Sequence, residues 1–306
     1  MSHSSSRQRA RRGAGLMLAL CVFGGSSSAQ AQQAPMPTLR TYIVAGQSNA
    51  EGTGVRRNNP ANGLNPQQDL YTIGFGHWDS DYTQALIYKG HPDSGVGPGW
   101  DAMRPAYGSG YEHSLYRNNM FGPELAIGRE VAAHLKEPIA IIKYSKGGTL
   151  LAVDWDPTDP GINRYDYLIN TINHATQAMA AGGIALDIQG VFWMQGESDS
   201  GDIKYAQHYQ ANLERLIATL RTQLNKPTLD FYVATIRDTP VWTYRQHIWN
   251  AQQAVADADP NVYLVNGRDL EAYNNDPMHY TARGQVTLGQ RFALQALYDA
   301  WGLGQF

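Results

Sequence analysis

A serine, an acid and a histidine in this chain occupy positions that favour nucleophilic catalysis. Ser48 lies in a Gly-Gln-Ser-Asn tetrad directly after the apolar run 42–45, and Asp276 lies three residues before His279. A serine hydroxyl is inert near neutral pH unless a base takes its proton, and histidine can do so when an acid orients its ring. We therefore interpret Ser48 as the nucleophile, His279 as the general base and Asp276 as the orienting acid of an acyl-transfer enzyme.

Two further polar turns also follow apolar runs. Residues 146–149 (Lys-Gly-Gly-Thr) come after the run 139–142, and residues 195–198 (Gln-Gly-Glu-Ser) come after the run 190–194. Ligands of open α/β sheets bind at the carboxyl ends of the strands, so we expect these turns to meet Ser48 at one edge of a sheet. This convergence favours a serine esterase over the alternative that Ser48 only caps a helix.

The spacing of apolar residues predicts alternating strands and helices. Strands are predicted at residues 41–45, 139–144, 188–194, 229–236 and 262–265, and helices at 121–135, 165–181, 205–224, about 242–258 and about 282–301. Such alternation indicates a parallel sheet with helices on both faces. We predict an α/β fold, namely a three-layer α/β/α sandwich around a five-stranded parallel sheet. The common strand order 2-1-3-4-5 is one choice that the sequence leaves open.

Residues 52–120 interrupt this alternation. They are rich in Gly, Asn, Asp, Pro and aromatic residues and show little periodicity. A long irregular insertion is usually either functional or disordered, and the aromatic content argues against disorder. Because the insertion leaves the chain just after Ser48, we interpret it as a substrate-binding region in which Trp78, Trp100 and Tyr107 offer flat ring faces. A purely structural cap is the alternative.

The first 31 residues have the pattern of an export signal. Four arginines at positions 7, 9, 11 and 12 precede an apolar core at 13–23, which is too short for a membrane span, and Ala29-Gln30-Ala31 offers a cleavage site. Cleavage after Ala31 would leave a single domain, 32–306, in the periplasm or medium. The only cysteine, Cys21, would be lost, so no disulfide is expected.

Charge and metal-ligand patterns exclude several kinds of partner. Removing residues 1–31 takes away four arginines and no acidic residue, so the formal charge changes from −3 to −7. An acidic surface disfavours nucleic acid and anionic membranes as partners. Asp154, Asp156 and Asp159 do not have the spacing of an EF-hand loop, and we interpret them as a solvated turn. No His/Cys cluster suggests zinc, so we expect no metal and no cofactor.

Four short blocks resemble those of the SGNH hydrolases: residues 46–49, residues 146–149, Trp193-Met194-Gln195-Gly196-Glu197-Ser198, and Asp276-Pro277-Met278-His279. The branch they resemble comprises carbohydrate acetylesterases of the sialate O-acetylesterase and acetylxylan esterase kind (carbohydrate esterase family 6). The similarity runs from about Thr41 to Leu297 and includes the helix opening Phe121–Leu125. It implies a flavodoxin-like SGNH fold and removal of O-acetyl groups from xylan, sialic acid or related glycans. Other small acyl, aryl or lipid esters are the alternative, and a non-catalytic carbohydrate-binding protein is a third.

The resemblance also implies roles around the nucleophile. An oxyanion hole needs donors placed where negative charge develops. Ser48 N–H is the first, Gly148 N–H is the donor that the family implies, and the Gln195 amide would replace the asparagine of the SGNH name. Glu197 either orients His279 in place of Asp276 or holds the loops around the site, and we favour the second. Oligomeric state stays open.

Overall fold

A computed structural model describes residues 36–57, 68–109 and 119–303. The export signal predicted at 1–31 lies outside these residues. Within the described residues, the strands are β1 Thr38–Gly46, β2 Gly54–Val55, β3 Tyr82–Lys89, β4 Trp100–Met103, β5 Met120–Phe121, β6 Ile139–Ser145, β7 Ala185–Met194, β8 Asp230–Ala234, β9 Val262–Val265, β10 Ala272–Tyr273 and β11 Asp276–Tyr280. The α-helices are α1 Ser48–Glu51, α2 Glu124–Leu135, α3 Leu151–Asp154, α4 Arg164–Ala180, α5 Ile203–Ala206, α6 Tyr209–Gln223, α7 Arg245–Ala258 and α8 Ala282–Ala300.

The central sheet has seven strands in the order β4-β3-β6-β1-β7-β8-β9. Every neighbouring pair is parallel except β3 and β4. The five predicted strands are β1, β6, β7, β8 and β9, and in space they follow the order 2-1-3-4-5. The five predicted long helices are also present, as α2, α4, α6, α7 and α8. The predicted strand number of five is wrong, because the sheet continues for two more strands.

Both additional strands come from the segment predicted to be irregular. Residues 85–89 of β3 pair in parallel with 139–143 of β6, and β4 closes this edge in the antiparallel sense. The short apolar run Ala85-Leu86-Ile87-Tyr88 is the signal for β3, and glycine and aspartate on both sides hide it. Residues 58–67 and 110–118 of the segment lie outside the described residues.

The two faces of the sheet are covered by different helices. Because side chains alternate along a strand, the adjacent β7 residues Phe192 and Trp193 point in opposite directions. Phe192 packs on Phe292 of α8 with ring centroids 5.1 Å apart, whereas Trp193 packs on Trp155 at 5.1 Å and lies against Tyr209 of α6. Helices α2 and α8 pack together on the first face, and α4, α6 and α7 cover the second. The carboxyl ends of the parallel strands lead into the turns that carry the candidate site.

Candidate active site

The turn after β1 holds Ser48 on a rigid backbone. Gly46 has φ +136°, and a Cβ at this position would lie 2.0 Å from the carbonyl oxygen of Met194 at the end of β7. The next N–H, that of Gln47, donates to the same carbonyl at 3.0 Å. Ser48 then begins α1 and is half-buried, while Gln47 and Asn49 on either side are 2% and 1% exposed. The serine is therefore the accessible residue of a fixed turn, which suits a nucleophile.

His279 and Asp276 lie together on β11. His279 Nδ1 is 2.6 Å from Asp276 Oδ2, and the two side chains are 29% and 33% exposed. The other carboxylate oxygen of Asp276 accepts the Met278 N–H at 3.1 Å. With Asp276 ionised, this contact requires Nδ1 to carry the proton, which leaves Nε2 free to accept one. The pair has the chemistry of a base and its orienting acid.

Asn49 joins this pair to the serine turn. Its Nδ2 donates to the carbonyl of Met278 at 3.0 Å, and its Oδ1 accepts the N–H of Tyr280 at 3.1 Å. The residue after Ser48 is therefore hydrogen-bonded to the backbone on both sides of His279. Serine and histidine come from sequence positions far apart, and these two bonds bring their backbones together.

The Gly147-Gly148 turn lies on the other side of Ser48. A Cβ built on Gly147 would be 3.3 Å from Ser48 Cβ, and Gly147 N–H donates to Glu51 Oε2 at 3.0 Å. Gly148 is exposed and adopts φ +72°, a left-handed conformation that glycine accepts without strain. Glu51 therefore takes the N–H of Gly147, and the role of the Gly148 N–H as an oxyanion donor stays a prediction.

Gln195 is brought to the same edge, but its amide points into the protein. The side chain is fully buried, and Nε2 lies 3.2 Å from Gln47 Oε1, 3.1 Å from the Thr149 carbonyl and 2.6 Å from Asp199 Oδ2. Two amide protons thus already face three acceptors. Donation to an oxyanion would require one of these contacts to be released, which the sequence did not indicate.

Glu197 touches Asn49 and not the histidine ring. Its Oε1 accepts Asn49 Nδ2 at 2.8 Å, and the side chain is 1% exposed. Burial raises the pKa of Glu197 to about 7, partly offset by the Asn49 hydrogen bond and the nearby His279. Since Asp276 is the carboxylate that contacts the imidazole, this geometry favours the interpretation of Glu197 as a residue that holds the loops.

A buried ion pair lies beneath the serine turn. Lys143 Nζ is 2.5 Å from Glu124 Oε2, and neither side chain is exposed. The same ammonium donates to the carbonyls of Glu51 at 2.8 Å and Tyr107 at 3.0 Å. Burial lowers the pKa of Lys143, and the Glu124 carboxylate opposes that shift. One cation thus connects the end of α1, the start of α2 and the insertion.

The three aromatic residues predicted to stack on substrate all make contacts within the protein, and two of them are buried. Trp78 and Tyr107 are only 7% and 3% exposed, so the prediction that they present ring faces is wrong. Trp100 is half-buried on β4, and its indole N–H donates to the Ala175 carbonyl at 3.0 Å. The structural cap, which the sequence left as the alternative, describes Trp78 and Tyr107, whereas substrate contact by Trp100 stays a prediction. The buried rings of Trp78 and Tyr107 belong to the main hydrophobic core.

Of the three acids predicted to form a turn, Asp156 and Asp159 lie in a turn, whereas Asp154 is the last residue of α3. Asp154 accepts the N–H of Leu150 at 2.7 Å, and Asp159 accepts that of Gly161 at 2.8 Å. Asp156 accepts from Thr158 and pairs with Arg215 at 3.3 Å. Across the residues the structure describes, no three His, Cys, Asp or Glu side chains form a group suited to a metal ion. A search of the same residues finds no helix with the length and hydropathy of a membrane span.

Sequence reasoning missed Asn49, Glu51 and Asp199. Asn49 and Glu51 belong to α1 itself, and both are buried although polar. Asp199 is fully buried, receives the Gln195 amide, and accepts the Leu151 N–H with both oxygens at 3.1 and 2.9 Å. The only available signal was their closeness in sequence to Ser48 and Glu197, because burial of a polar side chain is invisible in a single sequence.

Comparison with known proteins shows the family of this chain. Residues 38–298 match the family model described as "Carbohydrate esterase, sialic acid-specific acetylesterase". This chain belongs to that carbohydrate esterase family. It is also 30% identical, over 175 residues, to a probable carbohydrate esterase of Arabidopsis thaliana, an alignment that covers 56% of this chain and 62% of that protein. The chain therefore spans less than two thirds of that curated relative.

Solved structures share the fold. An Arabidopsis thaliana protein superposes with a TM-score of 0.64 at 23% identity, over 86% of this chain and 99% of its own. A carbohydrate acetylesterase from Xanthomonas citri gives 0.55 at 18% identity, over 86% of this chain and 57% of its own. The structure of NanS superposes with a TM-score of 0.55 at 14% identity, over 88% of this chain and 98% of its own. At these identities the likeness extends to the fold alone.

Proposed function

We propose that this protein is a serine esterase that removes O-acetyl groups from carbohydrates through an acetyl-enzyme. The observation that carries the proposal is the Asp276–His279 contact of 2.6 Å on a strand whose backbone is bonded to the residue after Ser48. Membership of a carbohydrate esterase family, described as sialic acid-specific acetylesterase, supports acetylated sugar as the substrate class. Which acetylated glycan it takes, xylan or sialic acid among them, is decided by experiment.

The proposed reaction uses these residues in two half-reactions. Ser48 Oγ attacks the acetyl carbonyl while His279 Nε2 takes the hydroxyl proton, and Asp276 stabilises the imidazolium that forms. The carbonyl oxygen becomes an oxyanion, which the N–H groups of Ser48 and Gly148 stabilise. His279 then protonates the departing sugar oxygen as the carbonyl–oxygen bond breaks.

Water completes the cycle. His279 takes a proton from the water that attacks the acetyl-enzyme, and returns it to Ser48 Oγ as acetate leaves. The amide of Gln195 is the third oxyanion donor of this proposal once one of its internal contacts is released. No cofactor is needed, since proton transfer and hydrogen bonding account for each step.

We further propose that residues 1–31 are an export signal and that the enzyme acts in the periplasm or medium. The arginine-rich start, short apolar core and Ala29-Gln30-Ala31 support this. Intact-mass measurement of the exported protein should find an N-terminus near Gln32. A mass that retains Met1 would exclude cleavage.

Acetate release from a panel of acetylated glycans tests the function. Wild-type protein should release acetate, and Ser48→Ala should lose activity by about 10⁶ in kcat, as removal of a triad nucleophile does elsewhere. Thr222→Ala, at an exposed hydroxyl side chain on α6, is the control and should stay active. More than about one per cent activity in Ser48→Ala would reject the nucleophile assignment. Faster hydrolysis of p-nitrophenyl octanoate than of the acetate would favour the lipid-ester alternative, and glycan binding without acetate release the non-catalytic one.

A further inference from the structure

The Asn49 side chain is more fully engaged than any role assigned so far explains. It is 1% exposed, and its amide makes three hydrogen bonds: Nδ2 to Glu197 Oε1 at 2.8 Å, Nδ2 to the Met278 carbonyl at 3.0 Å, and Oδ1 from the Tyr280 N–H at 3.1 Å. Both protons and the oxygen of one amide are therefore used, in a residue directly bonded to the nucleophile.

Two of these bonds enclose His279. In an extended strand, the carbonyl of one residue and the N–H of the residue two further on lie on the same edge. Asn49 occupies that edge at Met278 and Tyr280, in the way that a neighbouring strand would. Because its own backbone belongs to the Ser48 turn, the amide fixes the position of the histidine backbone relative to the serine.

Glu197 and the β11 backbone favour the same orientation of the amide. An asparagine amide can be turned by 180°, which exchanges its donor and acceptor ends. The Glu197 and Met278 oxygens both require a donor on their side, and this leaves Oδ1 for the Tyr280 N–H. The turned amide would set oxygen against Glu197 and Met278 oxygens, and its NH₂ against an N–H. Glu197 therefore reinforces the one orientation that satisfies all three neighbours.

We propose that Asn49 is a positioning residue that sets the distance between His279 and Ser48, and that Glu197 acts on the reaction through Asn49. This inference rests on the proposed function and adds to it a pair of residues that never contact substrate. Misplacement of a reacting group by about 1 Å can cost about 10²-fold in rate. The effect should appear in kcat, since substrate binding does not use the amide.

Steady-state hydrolysis of p-nitrophenyl acetate provides the first test. Asn49→Ala should lower kcat by about 10²–10³ with KM changed by less than about threefold. Asn250→Ala, at an exposed asparagine on α7, is the control and should match wild type. An Asn49→Ala enzyme within about threefold of wild-type kcat would overturn the inference.

A double-mutant cycle separates a relay from two independent effects. If Glu197 acts through Asn49, Asn49→Ala with Glu197→Ala should be about as slow as Asn49→Ala alone. If the loss in kcat of the double variant instead equals the product of the two single-variant losses, Glu197 acts by another route and the relay is overturned.

Exchange of donor and acceptor gives a readout that lost packing does not produce. Asn49→Asp places an oxygen against the oxygens of Glu197 and Met278, and this variant should be at least as slow as Asn49→Ala. Combining it with Glu197→Gln replaces one of the repelling oxygens with an amide donor, which should recover at least about tenfold of the loss. Absence of recovery in a folded double variant counts against the proposal, and this arm remains available if Asn49→Ala does not fold.

Labelling of Ser48 by a fluorophosphonate separates failure of the inference from failure of the proposed function. A wild type that hydrolyses no acetyl ester rejects the function, yet its labelling rate still reports whether histidine activates serine. Slower labelling of Asn49→Ala than of wild type supports positioning. Equal rates, or no labelling of wild type at all, overturn it.

Discussion

Two acid–base pairs lie close to Ser48 and differ in what surrounds them. His279–Asp276 is 2.6 Å long with both side chains about a third exposed, whereas Lys143–Glu124 is 2.5 Å long with neither side chain exposed. The first can exchange protons with substrate and water. The second is closed to both, and its ammonium is bonded to the Glu124 carboxylate and to carbonyl oxygens of two further segments.

This difference in exposure distinguishes a pair suited to catalysis from a pair suited to stabilising the fold. A partly exposed pair costs little to desolvate and can change charge during a reaction, while a buried pair is expensive to break because it leaves an uncompensated charge. Breaking the exposed pair should therefore reduce catalysis and leave stability unchanged. Breaking the buried pair should reduce stability first.

The largest expected effect is on catalysis at Asp276. Asp276→Asn keeps the shape of the side chain but favours the wrong imidazole tautomer, so kcat should fall by about 10⁴ while the melting temperature stays near that of wild type. Steady-state kinetics and thermal unfolding measure the two quantities. Glu197→Gln, which retains an oxygen for Asn49, should lose much less. Comparable losses for the two variants would reverse the assignment of the orienting acid.

The buried pair should show the opposite behaviour. Lys143→Ala leaves the Glu124 carboxylate buried without its partner and should lower the free energy of unfolding by about 3–5 kcal/mol. Lys226→Ala removes an exposed pair with Asp187 and should cost less than about 1 kcal/mol in urea unfolding. A Lys143→Ala protein as stable as Lys226→Ala would show that the buried pair has no supporting role.

Gln195 has features of both kinds of residue. It was predicted to stabilise the oxyanion, yet its amide is hydrogen-bonded inside the protein. If its amide reaches the oxyanion in the transition state, Gln195→Ala should lower kcat by about 10²–10³ with little change in KM. If the Gln195 side chain only supports the turns, the substitution should instead lower the free energy of unfolding by about 1–3 kcal/mol. Kinetics and urea unfolding of the one variant distinguish these outcomes, and a raised KM with kcat unchanged would make Gln195 a substrate-binding residue.

The last prediction concerns the pH dependence of stability and Glu197. Burial raises the pKa of this carboxyl to about 7 in the folded protein from an ordinary 4.5, so the folded state binds the extra proton between these values. Stability contributed by the protonated form is present below about pH 4.5 and is lost as pH rises through about 7, to a total of about 3 kcal/mol. Glu197→Gln cannot titrate, so its stability relative to wild type should increase as pH rises through this window.

Urea unfolding at pH 4.5, 6 and 8 measures that difference. The pKa of Asp230 is also raised to about 7, by burial and by Asp299, and it contributes the same slope to both proteins. The difference between the two proteins therefore isolates Glu197. A constant difference across the three pH values would contradict the raised pKa.

Much of the fold could be predicted from the sequence because it depends on local pattern. Apolar runs and helical periodicity located five of the seven sheet strands and the long helices, since each element buries a face that its own residues define. The ends of parallel strands meet at one edge, so Ser48, the Gly147-Gly148 turn and His279 could be expected near one another from their places after the predicted strands and in the last loop.

The remaining features depend on which side chains meet after distant segments pack. Asn49 and Glu197 are 148 positions apart, and no local pattern indicates that their side chains share a hydrogen bond. Trp78 and Tyr107 were predicted to face a substrate, yet whether an aromatic ring is exposed depends on the elements packed over it. Only the tertiary structure decides this, because burial and hydrogen-bond partners are properties of the folded chain. The periodicity of strands and helices, in contrast, is set by the local sequence of each segment.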